Sequence, residues 1–172
     1  MITTFRFIAL AVVLSLCLGC NKQDDSPIDR ETKVYRAILL DGNRFIKKEK
    51  YQEAAALFSE AISKKPDKFD GYLNRGIAYL HLKRYDQAIV DFTEAIRKDQ
   101  TLAIAYANRG IAYDHLKKQR QALSDYQKAI ALDPEVGKGP GFMERFLHNK
   151  PKMPDVRDRA EFLENTLEPN AK

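Results

Sequence analysis

The sequence predicts an all-α fold built from three stacked helix pairs and closed by a C-terminal capping helix. The first observation is an internal repeat: residues 69–102 and 103–136 match at 16 of 34 positions, and residues 35–68 carry a weaker copy. A fixed period in this range is typical of a repeat array. The second observation is composition, because Leu, Ala, Lys and Ile are abundant and only eight of the 172 residues are glycine. This composition favours helices over strands.

Charged residues of both signs are mixed along the chain. They make up 31% of the sequence, the formal net charge is +5, and no basic run is longer than three. This pattern predicts a solvated surface and indicates neither a nucleic-acid site nor a polybasic membrane patch. We therefore expect no nucleic-acid partner. Both cysteines fall within the first twenty residues, which excludes a disulfide framework in the body of the protein.

Three glycines, Gly42, Gly76 and Gly110, recur every 34 residues, each in the middle of a predicted helix. A glycine there costs about 1 kcal/mol relative to alanine, so its recurrence indicates that two helices approach closely. Small and large side chains also alternate in register, which lets paired helices interlock without voids. These positions are Phe45, Tyr79 and Tyr113; Ala54, Ala88 and Ala122; Phe58, Phe92 and Tyr126; and Ala61, Ala95 and Ala129.

This register of glycine, aromatic and alanine positions resembles that of the tetratricopeptide repeat (TPR) over residues 35–136. The resemblance divides the region into repeats 35–68, 69–102 and 103–136, each an antiparallel helix pair. It implies a right-handed α-α superhelix whose concave wall is lined by the first helix of every repeat. Stacking is expected to give one continuous core, because a single pair cannot bury its apolar face. The expected pairs are 35–48 with 51–64, 69–82 with 85–98, and 103–116 with 119–132.

Residues 1–19 have the pattern of a secretory signal peptide, with an early arginine and an apolar run shorter than the roughly 20 residues of a membrane span. The sequence Leu18-Gly19-Cys20 resembles the lipobox of bacterial lipoproteins, whose cysteine becomes an N-terminus acylated with palmitate. The resemblance implies lipidation at Cys20, a polar tether over 20–34, and a location in the bacterial cell envelope, at the outer membrane facing the periplasm. The alternatives are an ordinary cleaved signal peptide, which leaves a soluble periplasmic protein, and a retained anchor helix.

Composition changes after the third repeat. Residues 137–153 are rich in glycine and proline, which predicts a linker, with a short helix around Phe142 and Phe146. Residues 154–168 predict a helix that caps the open end of the stack, with Asp155 as its N-cap. The alternative role for this tail is that Phe142 and Phe146 dock a partner or fill the protein's own groove. The apolar positions on one face of the capping helix are Val156, Ala160, Leu163 and Leu167.

No residue pattern indicates catalysis. His81 and His115 occupy equivalent repeat positions, but no cysteine or third histidine joins them at a metal-ligand spacing. We expect these histidines at the surface or at a helix interface. Asp91 and Asp125 recur in the second helices, where a repeated carboxylate is expected to be solvated or structural. No serine lies in a G-x-S-x-G turn. The sequence therefore predicts no enzyme, no metal site and no cofactor.

Asn74 and Asn108 lie two residues before a repeat glycine, at a position that the TPR resemblance places on the concave wall. An asparagine amide donates and accepts at once, which matches the backbone of an extended peptide. The alternative is that both amides bond the backbone of a neighbouring helix. Some TPR domains clamp a C-terminal carboxylate with paired cations, but those positions hold Leu39, Ile104 and Asn108, so we expect no clamp. The candidate groove residues are Asn43, Tyr72, Leu73, Asn74, Ile77, Ile104, Ala107, Asn108, Ile111 and Asp114.

Together these features predict a non-catalytic adaptor or scaffold, tethered by lipid to the envelope, that binds a peptide segment or helix of another envelope protein in its groove. The alternative is a structural module, either a self-associating homodimer or an assembly factor for an envelope secretion or pilus complex. The two interpretations differ in oligomeric state. A monomer favours the adaptor, and a dimer that buries Asn74 and Asn108 favours the structural module.

Overall fold

A computed structural model describes residues 27–136 and 155–167, which form seven α-helices and no strand. The chain divides into two compact units, Met1–Lys33 and Val34–Lys172. Of the first unit, only the helical residues 27–33 are described. The helices are α1 (Pro27–Lys47), α2 (Tyr51–Lys64), α3 (Phe69–His81), α4 (Tyr85–Lys98), α5 (Ala103–His115), α6 (Gln119–Leu132) and α7 (Val156–Leu167).

The helices α2 to α6 begin and end within one residue of their predicted bounds. The first helix differs, because α1 begins at Pro27, inside the stretch 20–34 that the sequence predicts as a polar tether. Proline suits the first turn of a helix, and Asp29 in that turn lies near the positive end of the helix dipole. Arginine, glutamate and lysine, which are common in this stretch, are good helix formers. Residues 27–34 are therefore polar but helical, so polar composition alone does not predict a flexible tether here.

Each repeat glycine lies against an aromatic ring of the paired helix. A Cβ built on Gly76 would lie 2.7 Å from Cε1 of Phe92, a separation that real Cβ atoms essentially never show. The Phe92 ring is fully buried. The predicted close approach of paired helices is confirmed, and the ring fills the space that the glycine leaves. The matching pairs are Gly42 with Phe58 at 2.5 Å and Gly110 with Tyr126 at 2.7 Å.

Small side chains join successive repeats into one interior. Ala78 of α3 packs with Ala54 and Phe58 of α2. One repeat later, Ala112 of α5 packs with Phe92 of α4. The first helix of each repeat therefore rests on the second helix of the repeat before it. Alanine at these contacts lets the helices approach closely enough to exclude water from the rings.

The turns inside the three repeats share one geometry. Glu49, Lys83 and Lys117 have positive φ angles of 58°, 58° and 61°, in the left-handed region that closes many helices. After α3, the N–H of Arg84 donates to the carbonyl of Tyr79 at 2.9 Å. This bond satisfies a carbonyl at the helix end. A non-glycine residue in this region costs about 1 kcal/mol, so these turns carry strain at three equivalent places.

Helix α7 closes the C-terminal end of the stack where the sequence predicts a capping helix. The N–H of Asp158 donates to Oδ1 of Asp155 at 2.8 Å, and the N–H of Asp155 donates to Oδ2 of Asp158 at 3.4 Å. The predicted N-cap at Asp155 is thereby confirmed, in a reciprocal capping arrangement. The buried side chains that join α7 to the core of the third repeat are Val156, Ala160 and Leu163.

Several sequence predictions fall outside the described residues. These are the signal peptide over 1–19, the lipidated Cys20, and the linker over 137–153 with Phe142 and Phe146. Among the helices that are described, none is both long enough and apolar enough to span a membrane.

Candidate functional site

Asn74 on α3 and Asn108 on α5 hold equivalent positions on neighbouring first helices. Both side chains are half-buried. Within residues 27–136 and 155–167, neither amide forms a hydrogen bond with another group. The alternative in which both amides bond a neighbouring backbone is therefore not seen in this part of the chain. Each amide has a donor and an acceptor available for a ligand.

Exposed aliphatic side chains lie on the same set of first helices. Leu40 on α1 holds the position of Asn74 one repeat earlier and is 57% exposed, and Ile104 on α5 is 42% exposed. Ile77 and Ile111 are half-buried and pack partly against the core beneath them. Asn43, at the C-terminal part of α1, is exposed. An apolar wall with a few polar groups is typical of a binding groove.

Three of the predicted groove residues belong wholly or partly to the core. Ala107 is 1% exposed and lies in the cluster that α5, α6 and α7 share. Its assignment to an open groove is therefore corrected, because the helix turns its methyl group inward. Tyr72 and Leu73 are half-buried against a second cluster, which contains Ala95 and Ala105. They can contribute only their outer edges to a groove.

The Asp114 carboxylate binds an arginine of the capping helix. The guanidinium of Arg159 on α7 donates from Nε to Oδ2 of Asp114 at 2.5 Å and from Nη2 to Oδ1 at 2.8 Å. The Asp114 side chain keeps 17% of its surface exposed. A crevice of about 140 Å³ remains beside this pair, with Ile111 and Lys117 in its wall. In this arrangement Asp114 holds α7 in place rather than facing an open groove.

Arg75 is a structural residue that the sequence analysis did not single out. Its guanidinium on α3 donates from Nε and Nη2 to the two carboxylate oxygens of Asp91 on α4, both at 2.8 Å. A third bond joins Nη1 to Oγ of Ser59 on α2 at 3.0 Å, so one side chain ties three helices together. The signal available in the sequence was an Arg followed 16 residues later by Asp in two repeats. The equivalent residues in the next repeat are Arg109, Asp125 and Thr93.

The Asp91 carboxylate is enclosed by protein, with 3% of its side chain exposed. Burial raises the pKa of Asp91 above the ordinary value, and the hydrogen bonds from Arg75 oppose that rise. The same hydrogen bonds raise the pKa of Arg75, which keeps the guanidinium charged. Of the two readings that the sequence left open for this carboxylate, the structure shows the structural one.

Comparison with known proteins identifies the repeat. Residues 39–103 and residues 103–136 each match the sequence profile described as tetratricopeptide repeat, and together they span more than half of the chain. The chain belongs to the tetratricopeptide-repeat family. The all-α TPR superhelix that the sequence predicts is thereby confirmed.

Solved TPR domains share this fold. The second TPR of Spaghetti (RPAP3), bound to the HSP90 peptide SRMEEVD, is 30% identical, covers 58% of this chain and 92% of its own, and has a TM-score of 0.57. The TPR domain of Arabidopsis OM64 is 24% identical, with coverages of 81% and 98% and a TM-score of 0.62. The TPR2B domain of yeast Sti1 in a pHsp70 complex is 23% identical, with coverages of 77% and 97% and a TM-score of 0.62. No curated protein matches the chain.

Both repeat histidines of this TPR protein stack on tyrosines. The rings of His81 and Tyr51 are 4.4 Å apart and nearly parallel, and those of His115 and Tyr85 are 4.5 Å apart. Each stack joins the end of a first helix to the start of the second helix in the repeat before it. Among the described residues, no group of three or more His, Cys, Asp or Glu side chains is placed to hold a metal ion. The histidines therefore lie at an interface between repeats.

Proposed function

We propose that this TPR protein is a non-catalytic adaptor that holds a peptide segment or a helix of another envelope protein in its concave groove. The observation that carries the proposal is the pair Asn74 and Asn108, whose amides form no hydrogen bond within the described chain. Their donors and acceptors can pair with the main chain of a bound segment. The exposed Leu40 and Ile104 supply apolar surface for its side chains.

Similar structures give precedent for peptide binding. The second TPR of Spaghetti carries an HSP90 peptide, and the yeast Sti1 domain was solved in a pHsp70 complex. In this chain the cation positions of a carboxylate clamp hold Leu39, Ile104 and Asn108. A free C-terminal carboxylate would meet no positive charge from these three side chains. We therefore propose that the ligand is an internal segment of its protein rather than a chain end.

We also propose that the adaptor is anchored by lipid at Cys20 in a bacterial envelope, at the outer membrane facing the periplasm. The support is the signal-like apolar run and the Leu18-Gly19-Cys20 sequence that follows it. Because α1 begins at Pro27, only residues 21–26 separate the lipidated cysteine from the first helix. The tether is therefore shorter than the polar composition predicts.

Changing Asn74 and Asn108 together to alanine is expected to weaken partner capture about tenfold. The free energy of unfolding should change by less than about 1 kcal/mol, because no hydrogen bond within the described chain is lost. Capture is measured by crosslinking in cells and quantifying the envelope protein that co-purifies, and stability by urea unfolding. The matched control is Gln87→Ala with Gln121→Ala, which removes two exposed amides from the second helices of the same repeats.

Two results would count against the groove. A loss of stability above about 2 kcal/mol in the double variant would show that the amides are structural. Equal loss of capture in the glutamine control would show that the effect is not local to the groove. Light scattering of the purified chain adds an independent measurement. A dimer that buries Asn74 and Asn108 would favour the self-associating structural module instead.

Cys20→Ala is expected to release the protein from membranes and to leave the precursor uncut, because the acylated residue is lost. Cys17→Ala is the matched control and should leave both membrane fractionation and processing unchanged. The measurement is the distribution of the chain between membrane and soluble fractions, with the precursor and mature forms separated by size. If Cys20→Ala fractionates as the wild type does, the chain is not anchored through this cysteine.

A further inference from the structure

The fold brings the turns within the three repeats to one edge of the stack. Each turn joins the end of a first helix to the start of its paired second helix, and the three pairs run in the same direction. We call residues 47–53, 81–87 and 115–121 the turn edge. It holds eight lysines and arginines against three carboxylates, Glu49, Glu53 and Asp86. The eight cations are Lys47, Lys48, Lys50, Lys83, Arg84, Lys117, Lys118 and Arg120, and all are exposed.

The opposite edge has a different charge. Residues 64–70, 98–104 and 132–136 connect one repeat to the next or lead away from the last, and they hold four lysines against five carboxylates. Charges of both signs are therefore mixed along the sequence but are not mixed equally at the two edges of the folded stack. Positive charge collects at one edge. The reason is that residues 34 positions apart become neighbours in the stack.

The basic residues of the turn edge occupy positions where they do not favour folding. Lys50, Arg84 and Lys118 are the N-cap residues of α2, α4 and α6, and none of the three makes a side-chain capping bond. Helix starts favour Asp, Asn, Ser or Thr as caps, and a positive charge there opposes the helix dipole. All three repeats nevertheless place a cation at this position. Repeated departure from a local rule points to a functional demand.

A second local rule is broken one residue earlier. Lys83 and Lys117 hold the left-handed conformation that glycine adopts without strain. Among the described residues, these eight cations form one ion pair, Lys118 with Asp86 at 3.9 Å, and both partners are well exposed. Most of the positive charge at the edge therefore faces solvent.

We infer that the turn edge binds an acidic polypeptide segment that runs along the stack. The basic groups recur once per repeat, and neighbouring turns touch, because His81 stacks on Tyr51 and His115 stacks on Tyr85. An extended acidic chain that lies along this edge would therefore meet basic groups of successive repeats. This surface is separate from the concave groove and does not depend on Asn74 or Asn108.

Two other polyanions fit the edge less well. Surface binding to a membrane usually adds large apolar side chains to basic ones, and no exposed large apolar residue of the described chain lies in the turn edge. Single-stranded nucleic acid uses aromatic rings as stacking platforms. At this edge Tyr51 and Tyr85 are already stacked by His81 and His115.

The test uses the full chain in a neutral detergent and a fluorescent oligo-glutamate peptide as the probe. The triple variant Lys50→Asp, Arg84→Asp and Lys118→Asp is expected to bind the probe about tenfold more weakly at low salt. Its Tm should not fall, because aspartate is a better N-cap than lysine or arginine. The matched control, Lys64→Asp, Lys68→Asp and Lys128→Asp, changes the net charge equally at exposed sites outside the edge. It should bind the probe as the wild type does.

Four outcomes would overturn the inference. The first is that the wild type does not bind oligo-glutamate at low salt, and the second is that the triple variant binds it as well as the wild type does. The third is that the control variant loses as much binding as the triple variant, which would show a response to net charge alone. The fourth is that vesicles containing phosphatidylglycerol, or a single-stranded oligonucleotide, bind the edge while oligo-glutamate does not. These outcomes would not count against the groove proposal, because the Asn74→Ala and Asn108→Ala variant tests the groove with the turn edge unchanged.

Discussion

Phe92→Ala is expected to lower the free energy of unfolding by about 4 kcal/mol. The ring is fully buried and lies in a cluster with Ala88 and Ala112, so it joins α4 to its paired helix and to the next repeat. The buried residues beside it are Ala88, Ala112 and Gly76, whose side chains are too short to extend into the space that the ring leaves. A cavity would therefore remain. A domain of this size is stable by only about 5–15 kcal/mol, so the loss is measurable by urea unfolding followed by circular dichroism.

The double-mutant cycle with Gly76 tests whether this one contact explains the glycine. Gly76→Ala alone is expected to cost about 1–3 kcal/mol through overpacking against the ring, although alanine has the higher helix propensity. Combined with Phe92→Leu, the added methyl group should cost less, because the ring edge is gone. A Phe92→Ala loss below about 1 kcal/mol, or strict additivity in the cycle, would contradict the packing described for the repeats.

Asp91→Ala is expected to lower the free energy of unfolding by about 3 kcal/mol. The change removes two of the three hydrogen bonds that the Arg75 guanidinium donates within the described chain. Only the bond to Oγ of Ser59 remains. We place the loss at the lower end of the range for buried pairs, because 22% of the Arg75 side chain still reaches solvent. The measurement is urea unfolding at neutral pH, where the wild-type pair is charged.

The control for Asp91→Ala removes both charges. Arg75→Met with Asp91→Leu is expected to change stability by less than about 1 kcal/mol, because replacing a buried ion pair by apolar groups is often neutral. The first repeat supports this expectation, since Asp41 and Leu57 hold the equivalent positions and form no such pair. If the single and double variants lost the same amount, the carboxylate would be needed for something other than its partner.

The sequence indicated the helices well because the information for them is local and repeated three times. The bounds of α2 to α6 follow from turn residues and apolar spacing inside each repeat. The recurring Gly76 and Gly110 indicated that two helices approach closely. The start of α1 was missed because polar composition alone does not distinguish a helix from a tether. For the groove, the repeat position of Asn74 and Asn108 was enough to predict them as binding residues. The burial of Ala107 could not be predicted in this way, because it depends on which helices pack beside it.

By itself, then, the sequence determined the TPR fold, its three repeats and its capping helix, since a period of 34 residues can be read along the chain. Only the tertiary structure decided which charges meet. Arg75 reaches Asp91 across 16 residues, Arg159 reaches Asp114 across 45, and the lysines of three separate turns form one basic edge. Such contacts depend on distances between helices, and those distances exist only after the repeats have stacked around their shared core.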